Sequence, residues 1–558
     1  MTTDSEEETK GEFKIFGFEA DPVRIIILFM VFITIFLTVV RLVYDKTKMK
    51  VHFPESTLLV IIGLILGFLV NAISGDNFRR VQSLLTYPSF IFLYIFVPII
   101  IFDATYFLNK RAFFHNFVEI AVYAVVGTLI SNFIIGFLLI VSKKYQYITT
   151  DFSTYEHLTY AALVSAVDPV AVIAIMESMH VNENIFNIAF GESTLNDGVA
   201  MVLFNLFKGM ESLQDEHKTM GQIFLLGTAK FLVSCFGSII LAIVLTLGFC
   251  LITKLTWKIP NLEPLVFLLC ALCCYVFADM CLFSGVIAVM TCALVLTRYG
   301  EYNLQKESLT TFTTMTHMLA QTFETMLFLD MGFQIAFSSR RAKSIDFYYC
   351  FMIIPFSIVA RLIGTLVQTV FLNMRRKKLG ETLTLKDQFI LLMCGLRGGI
   401  AFALAQSWGL SEQKQDMVTL ATCLLILFTI VVYGLTMRPV IKVLKIKLEP
   451  HAHDGSSYPH KCLAYPQSQT ANFMNFMAGN SSKFSIWLSK VDSVMQKIFL
   501  KQKINAHGEL FSCVEQLLQE SVEQKREATS DKNVQLAKRK DLFTANEHVK
   551  EQHADLLK

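Results

Sequence analysis

Charged residues are scarce in this sequence. Asp, Glu, Lys and Arg make up 17% of its 558 residues, against about 25% in typical soluble domains, whereas 54% are hydrophobic and 49 are Phe. This scarcity excludes an ordinary soluble domain. It predicts an all-α polytopic membrane protein, because apolar runs that cross a bilayer must satisfy their backbone hydrogen bonds internally, as helices do.

A secretory leader and a disulfide framework are also missing. The first apolar run, 25–40, is too long for the core of a signal peptide, so no cleavable leader is predicted. Most of the 12 cysteines lie in apolar runs, which predicts no disulfides. Cys270, Cys273 and Cys274 share one helical face, where a metal site competes with the packing of small buried residues, and we favour packing.

The net charge of +3 carries little information about partners and predicts no nucleic-acid ligand, because it is divided between short loops and a polar tail. No cofactor motif is recognised, and the expected ligands are transported ions alone. No enzymatic activity is predicted.

The apolar runs have the lengths of about 13 membrane-spanning helices of ~20 residues. Placing the C-terminus in the cytoplasm collects the larger share of Lys and Arg on that side. The predicted division is an extracytoplasmic segment 1–22, a transmembrane domain 23–440 and a short helical cytoplasmic tail 441–558. The predicted spans lie near residues 24–44, 57–73, 84–107, 118–141, 158–176, 185–207, 222–253, 263–281, 283–299, 310–337, 347–373, 387–408 and 416–436.

One tail segment, 483–503, has a helical pattern. Apolar residues that include Trp487 recur at helical spacing, and lysines surround them. A basic amphipathic helix of this kind suits an EF-hand partner such as calmodulin, an anionic lipid surface, or packing beneath the membrane domain.

Charge inside the predicted spans is the main functional signal. Glu192, Asn196 and Asp197 lie in an otherwise apolar run, where a charge at the bilayer centre costs at least roughly 2.5–3.5 kcal/mol. Such residues are expected to handle ions or protons. Arg361, in another span, is the natural partner of Glu192, whereas Asp197 lies about 140° further round the helix and remains free to exchange a proton.

Two spans carry residues that interrupt a helix. Asp168 directly precedes Pro169, which removes a backbone donor, and three glycines surround Arg397 in the stretch 395–399. Unwound backbone at membrane depth lines a cavity, where freed carbonyls bind cations and Arg397 offsets the negative helix ends. The two spans lie seven apart, which predicts two inverted six-helix repeats with two crossed broken helices, as in an alternating-access transporter.

Further acids lie in the predicted spans. Asp103 is expected to contribute to the ion site and Glu324 to pair with a base. Asp330 is placed near a helix end and is expected at the membrane interface.

Three other functions compete with transport: a cation channel, an intramembrane aspartyl protease and a non-transporting regulator. A channel needs a continuous pore, whereas paired broken helices indicate occlusion. The protease is disfavoured because the Gly75-Asp76 pair lacks the first glycine of the Gly-x-Gly-Asp signature. The intact set of charged residues argues against a regulator that only keeps the scaffold.

At these residues the chain resembles the sodium/proton exchangers of the cation/proton antiporter superfamily, and specifically their animal group. The resemblance covers about residues 20–445. The stretches that carry it are Ser165–Ile173, Phe190–Asp197, Phe283–Leu296, Ala360–Gly364 and Leu385–Leu404.

The resemblance implies a role for each residue of the ion site. Asp197 is the acid that alternately carries Na+ or H+, and Asn196 is its neighbour. Ser193, one turn earlier, is implied as a cation ligand, and Asp168 supports the site. One carboxylate holding either ion gives 1:1 exchange, and family members with an Asn-Asp pair are typically electroneutral.

The resemblance also implies structural roles and partners. Glu192 and Arg361 match the buried ion pair of the family, and Arg397 matches the arginine of the second broken helix. The family implies a homodimer, a calcineurin-B-like EF-hand protein at 483–503, and the plasma membrane in preference to an endosomal one. The expected function is pH, sodium and volume homeostasis.

The chain departs from the family pattern at a few positions. Ile99 replaces a second proline, and Gly198 replaces the alanine that usually follows Asn-Asp. Phe323 and Asp330 replace a small polar and an apolar residue. These departures leave the preference among Na+, K+ and Li+ open.

Overall fold

The structure is a computed structural model, which describes the chain from residue 13 to residue 444 with gaps. The predicted tail beyond 444, including 483–503, lies outside the described residues, as does Pro169. Those described are 13–15, 18–20, 55–74, 86, 88–148, 150–168, 176, 183–211, 220–256, 259, 262–340, 346–376 and 384–444, with single positions between 35 and 46.

Helices make up almost all of the described structure. A two-stranded antiparallel hairpin, β1 (Phe13–Ile15) and β2 (Phe18–Ala20), precedes them. The helices are α1 (Glu55–Ser74), α2 (Ser89–Tyr106), α3 (Lys110–His115), α4 (Phe117–Lys144), α5 (Thr154–Ser165), α6 (Glu183–Glu211), α7 (Met220–Thr256), α8 (Glu263–Met280), α9 (Gly285–Val295), α10 (Lys306–Arg340), α11 (Phe347–Arg376), α12 (Leu385–Met393), α13 (Gly399–Ser407) and α14 (Glu412–Leu444).

Seven stretches of helix in the described residues are long and apolar enough to cross a membrane. They belong to α1, α2, α4, α7, α8, α11 and α14. The prediction of an all-α polytopic membrane protein is confirmed. The count of about 13 spans stays a prediction, and most of the first predicted span, 24–44, lies outside the described residues.

The outer helices present large apolar side chains to their surroundings. On α7, Leu225, Phe236 and Val244 are 71%, 62% and 64% exposed. In water such a face would be a liability, whereas lipid tails solvate it without cost. The interior, by contrast, holds the charged groups of the predicted site.

Small residues bring α1 and α10 into backbone contact near that interior. A Cβ built on Gly63 would lie 2.3 Å from the carbonyl oxygen of Leu329, and one on Gly332 would lie 2.4 Å from that of Val60. Gly63 and Gly67 are four residues apart and so lie on one face of α1, in a pattern typical of close packing between membrane helices. This contact fixes α10, which carries Glu324.

Candidate functional site

The first interruption begins earlier than the sequence indicates. α5 ends at Ser165, and residues 166–168 have left the helix, with Ala166 at φ −60° and ψ 136°. The residue before a proline is disfavoured in the helical region, which accounts for the conformation of Asp168. The freed end of α5 faces the second interruption.

The second interruption separates α12 from α13 at residues 395–398. The backbone N–H of Asp168 donates to the carbonyl oxygen of Leu396 at 2.8 Å, so the two breaks touch. A Cβ on Gly398 would lie 1.9 Å from Oδ2 of Asp168. Only glycine leaves room for that approach, which explains the glycine at position 398.

Arg397 is the charged group that spans the two breaks. It is 2% exposed, and its Nη1 donates to the carbonyl oxygens of Ser165 at 2.6 Å and Ala166 at 3.0 Å. Its Nη2 donates to Oγ of Ser357 at 3.2 Å. The last carbonyls of a helix have no partner within it and carry its negative dipole end, so the guanidinium satisfies and neutralises the end of α5.

Beside this crossing lies a small apolar cavity of about 40 Å³. Three carboxylates line it: Asp168 from the first break, Asp197 from α6 and Glu324 from α10. Asp197 is 3% exposed. Like charges in an apolar site disfavour each other's ionised forms, so this arrangement favours the uptake of a cation or a proton. The other lining residues are Ile100, Ile101, Ala104, Ala166, Val167, Thr194, Leu327, Phe328, Gly398, Gly399, Ile400 and Ala401.

Glu192 lies on a different face of α6 and forms an ion pair with Arg361. Both terminal nitrogens of the guanidinium donate to its carboxylate, Nη1 to Oε1 and Nη2 to Oε2, the latter at 3.1 Å. Nη2 also donates to the carbonyl oxygen of Leu391 on α12, at 2.9 Å. Glu192 is 1% and Arg361 7% exposed. The pair therefore joins α6, α11 and the first half of the broken helix, while Asp197 faces the cavity.

Ser193 and Asn196, which the sequence places beside Asp197 in the ion site, have no contact with the cavity among those that the structure describes. Oγ of Ser193 donates to the carbonyl oxygens of Ala189 at 3.1 Å and Phe190 at 3.0 Å, within its own helix. Thr194, rather than Ser193, lines the cavity. Asn196 is 2% exposed, and its Oδ1 is buried without a donor among the described residues. The ligand roles of Ser193 and Asn196 stay predictions.

Asp103 lies next to the cavity wall, on α2, but is not among the residues that line it. Its Oδ2 lies 3.2 Å from Nδ1 of His317, whose Nε2 lies 2.7 Å from Nε2 of Gln321. Its side chain is 14% exposed. Its contribution to the ion site stays a prediction.

Two lysines hold the ends of the interrupted helices, and sequence reasoning missed both. Nζ of Lys414 lies 2.8 Å from both carboxylate oxygens of Glu156, in the first turn of α5. Nζ of Lys208, on α6, donates to the carbonyl oxygen of Trp408 at 2.7 Å, just past α13. A lysine near a helix end is too common to be a signal by itself.

On α10 the structure departs from expectation. Glu324 lines the cavity with the two aspartates, and its expected pairing with a base stays a prediction. No helix end lies near Asp330, because α10 continues to Arg340, and Asp330 is fully buried. Hydropathy alone could not reveal which way either side chain points.

Comparisons with known proteins identify the family of this chain. Residues 26–443 match the family described as "Sodium/hydrogen exchanger, transmembrane". The chain is 34% identical over 447 residues to the "Probable Na(+)/H(+) antiporter nhx-3" of Caenorhabditis elegans, with 80% of this chain and 64% of that protein covered. It is also 34% identical over 429 residues to "Sodium/hydrogen exchanger 2" of Oryctolagus cuniculus, with 76% and 51% covered. The chain thus spans less than two thirds of the length of these relatives.

A solved structure has the same fold. The sodium proton antiporter MjNhaP1 of Methanocaldococcus jannaschii superposes with a TM-score of 0.58 at 16% identity, covering 76% of this chain and 100% of that one. At this identity the likeness concerns the fold alone. Because the family match covers most of the chain, this protein belongs to the sodium/hydrogen exchanger family.

Proposed function

We propose that this chain exchanges Na+ for H+ across a membrane, one for one, with Asp197 as the group that carries either ion. The observation that carries the proposal is the apolar cavity at the crossing of the two breaks, which Asp197 shares with Asp168 and Glu324. A buried carboxylate must be neutralised, and either a cation or a proton does this. Because the two compete for one group, they move in turn.

The surrounding residues support such alternation. Arg397 holds a fixed positive charge on the end of α5, so the charge that changes during the cycle belongs to the carboxylates. The Glu192–Arg361 pair ties α6 to α12, and is proposed to be structural. Sodium is proposed as the cation because two relatives are named as Na+/H+ exchangers or antiporters. The alternatives of a channel or a regulator draw no support from the family match.

Further proposals concern the whole protein. We expect a transporter without enzymatic activity or cofactor, a homodimer, and residence in the plasma membrane, all from the family resemblance. The segment 483–503 is proposed to bind a calcineurin-B-like EF-hand protein, with calmodulin or anionic lipid as the alternatives, because its basic amphipathic pattern suits each.

The test is sodium-driven alkalinisation of proteoliposomes with an enclosed pH dye. Asp197→Asn keeps the size of the side chain but removes its ability to exchange a proton for a cation. We expect it to reconstitute as well as wild type and to move no cation. Arms with K+ or Li+ in place of Na+ measure the cation preference.

The matched control is Asp151→Asn, an acid-to-amide change at a side chain that is 98% exposed. This variant is expected to retain full exchange. Sodium-driven alkalinisation at the wild-type rate by a folded Asp197→Asn variant would exclude Asp197 as the carrier.

A further inference from the structure

Three cysteine sulfurs converge at a point outside the ion site. Cys270 and Cys274 lie one turn apart on α8, and Cys292 lies on α9. All three residues are fully buried, and their sulfurs lie within 4.8 Å of one another, with 3.5 Å between those of Cys270 and Cys292. The sequence grouped Cys270 and Cys274 with Cys273, but Cys273 is not part of the cluster of sulfurs. Cys292, from the next helix, takes the third position.

This spacing fits one soft ion between three sulfurs. At a bond length of about 2.3 Å to each sulfur, three sulfurs lie about 4 Å apart around a planar centre and closer together around a pyramidal one. The 3.5 Å between the sulfurs of Cys270 and Cys292, and the limit of 4.8 Å on the other separations, are compatible with such a centre, so binding needs only small shifts of the side chains. Cysteines that merely fill space, such as the buried Cys423 on α14, have no such need to converge.

The charge balance selects the class of ion. Three thiolates around a divalent or monovalent cation leave a net negative charge, which is costly in an apolar interior. Trivalent arsenic leaves none: one uncharged arsenous acid condenses with three thiols, three arsenic–sulfur bonds replace three arsenic–oxygen bonds, and the thiol protons depart on three waters. Sulfur and arsenic keep their oxidation states, so no oxidant or reductant is needed.

We propose that Cys270, Cys274 and Cys292 form a three-thiol site that binds trivalent arsenic through three covalent arsenic–sulfur bonds and so links α8 to α9. None of the three cysteines lines the ion cavity, and sulfur is a soft ligand that does not select Na+, so the site is independent of that cavity.

The test uses the full chain, purified in detergent with its thiols reduced, and arsenite as the probe. The intact mass is expected to rise by one arsenic minus three hydrogens. After denaturation in the continued presence of arsenite, three fewer cysteines are expected to react with an alkylating agent, and a peptic digest should place the protected ones in the segments that contain the trio. Because bound ligand stabilises the folded state, arsenite should also raise Tm.

Substitutions separate this site from general thiol reactivity. Cys270→Ala, Cys274→Ala and Cys292→Ala are each expected to lose the arsenic adduct, whereas Cys273→Ala, next to the trio on the same helix, keeps it. The peptide map of the wild-type protein decides the matter if a variant fails to fold. Protection elsewhere in the chain, no adduct on wild type, or protection by zinc but not by arsenite would overturn the proposal.

Discussion

Outside the cavity, we expect a substitution of Glu192 to lower the stability of the protein strongly. Its carboxylate accepts two bonds from Arg361, and both side chains are buried. Glu192→Gln leaves the guanidinium charge buried without its counter-ion, so we expect a loss of about 3–5 kcal/mol in the free energy of unfolding. Unfolding of the purified protein by SDS titration measures it.

A double variant tests whether this loss comes from the stranded charge. Glu192→Gln together with Arg361→Gln removes both charges and should unfold at a higher SDS fraction than Glu192→Gln alone. The exposed Lys143–Asp151 pair provides the comparison, since Asp151→Asn should leave stability nearly unchanged. A double variant less stable than the single one would contradict the explanation.

Gly398 is the residue at which the two breaks come closest. The methyl group of Gly398→Ala would lie 1.9 Å from Oδ2 of Asp168, so the variant must push Asp168 or the break out of place. We expect it to fold and to lose most of its exchange in the proteoliposome assay. Gly248→Ala, within α7 where a Cβ meets nothing within 4 Å, should exchange normally. Normal exchange by Gly398→Ala would show that the crossing tolerates displacement.

At the scale of the elements, the contact of α1 with α10 is backbone against backbone and so depends on the absence of a side chain. Gly63→Val would place its Cβ 2.3 Å from the carbonyl oxygen of Leu329, which is backbone and cannot rotate away. The helices must separate, and the loss of close packing removes the main attraction between helices in lipid. We expect Tm in detergent to fall clearly below that of wild type, whereas Gly248→Ala leaves it unchanged or raises it. An unchanged Tm for Gly63→Val would mean that the helices are not in contact.

The sequence predicts the individual helices and their interruptions well, but it does not predict which helices and side chains contact one another. Long apolar runs and a proline or glycine cluster are local signals, so the fold class, and interruptions near Asp168 and Arg397, could be predicted. Which side chains share a cavity is decided by packing between distant segments. The place of Glu324 in the cavity and that of Cys292 beside Cys270 and Cys274 could therefore not be predicted. The helix α5 ends at Ser165, before the Asp168-Pro169 pair that indicated a break. The end expected near Asp330 was wrong because one buried acid does not stop a helix that its neighbours enclose.

At the scale of the whole molecule, the number of acids in the cavity bears on the charge moved in each cycle. If Asp197 alone binds and releases ions, the loaded site has the same charge with Na+ as with H+, and exchange is electroneutral. If Asp168 or Glu324 also released a proton, two protons would move against one Na+. Each extra charge then gains or costs about 2.3 kcal/mol per 100 mV of membrane potential.

Because we propose that Asp197 alone exchanges one Na+ for one H+, we expect the membrane potential to have no effect on the gradients at which exchange stops. Net flux in proteoliposomes should vanish when the Na+ and H+ concentration ratios are equal, whether or not a potential is imposed with a gradient of a permeant anion such as thiocyanate. Vesicles with Asp197→Asn correct for passive leaks. A stopping point that moves with the potential would show that a second acid of the cavity titrates in the cycle, and the same measurement on Glu324→Gln would identify it: recovery of the equal-ratio point assigns the extra proton to Glu324, and persistence of the shift assigns it to Asp168.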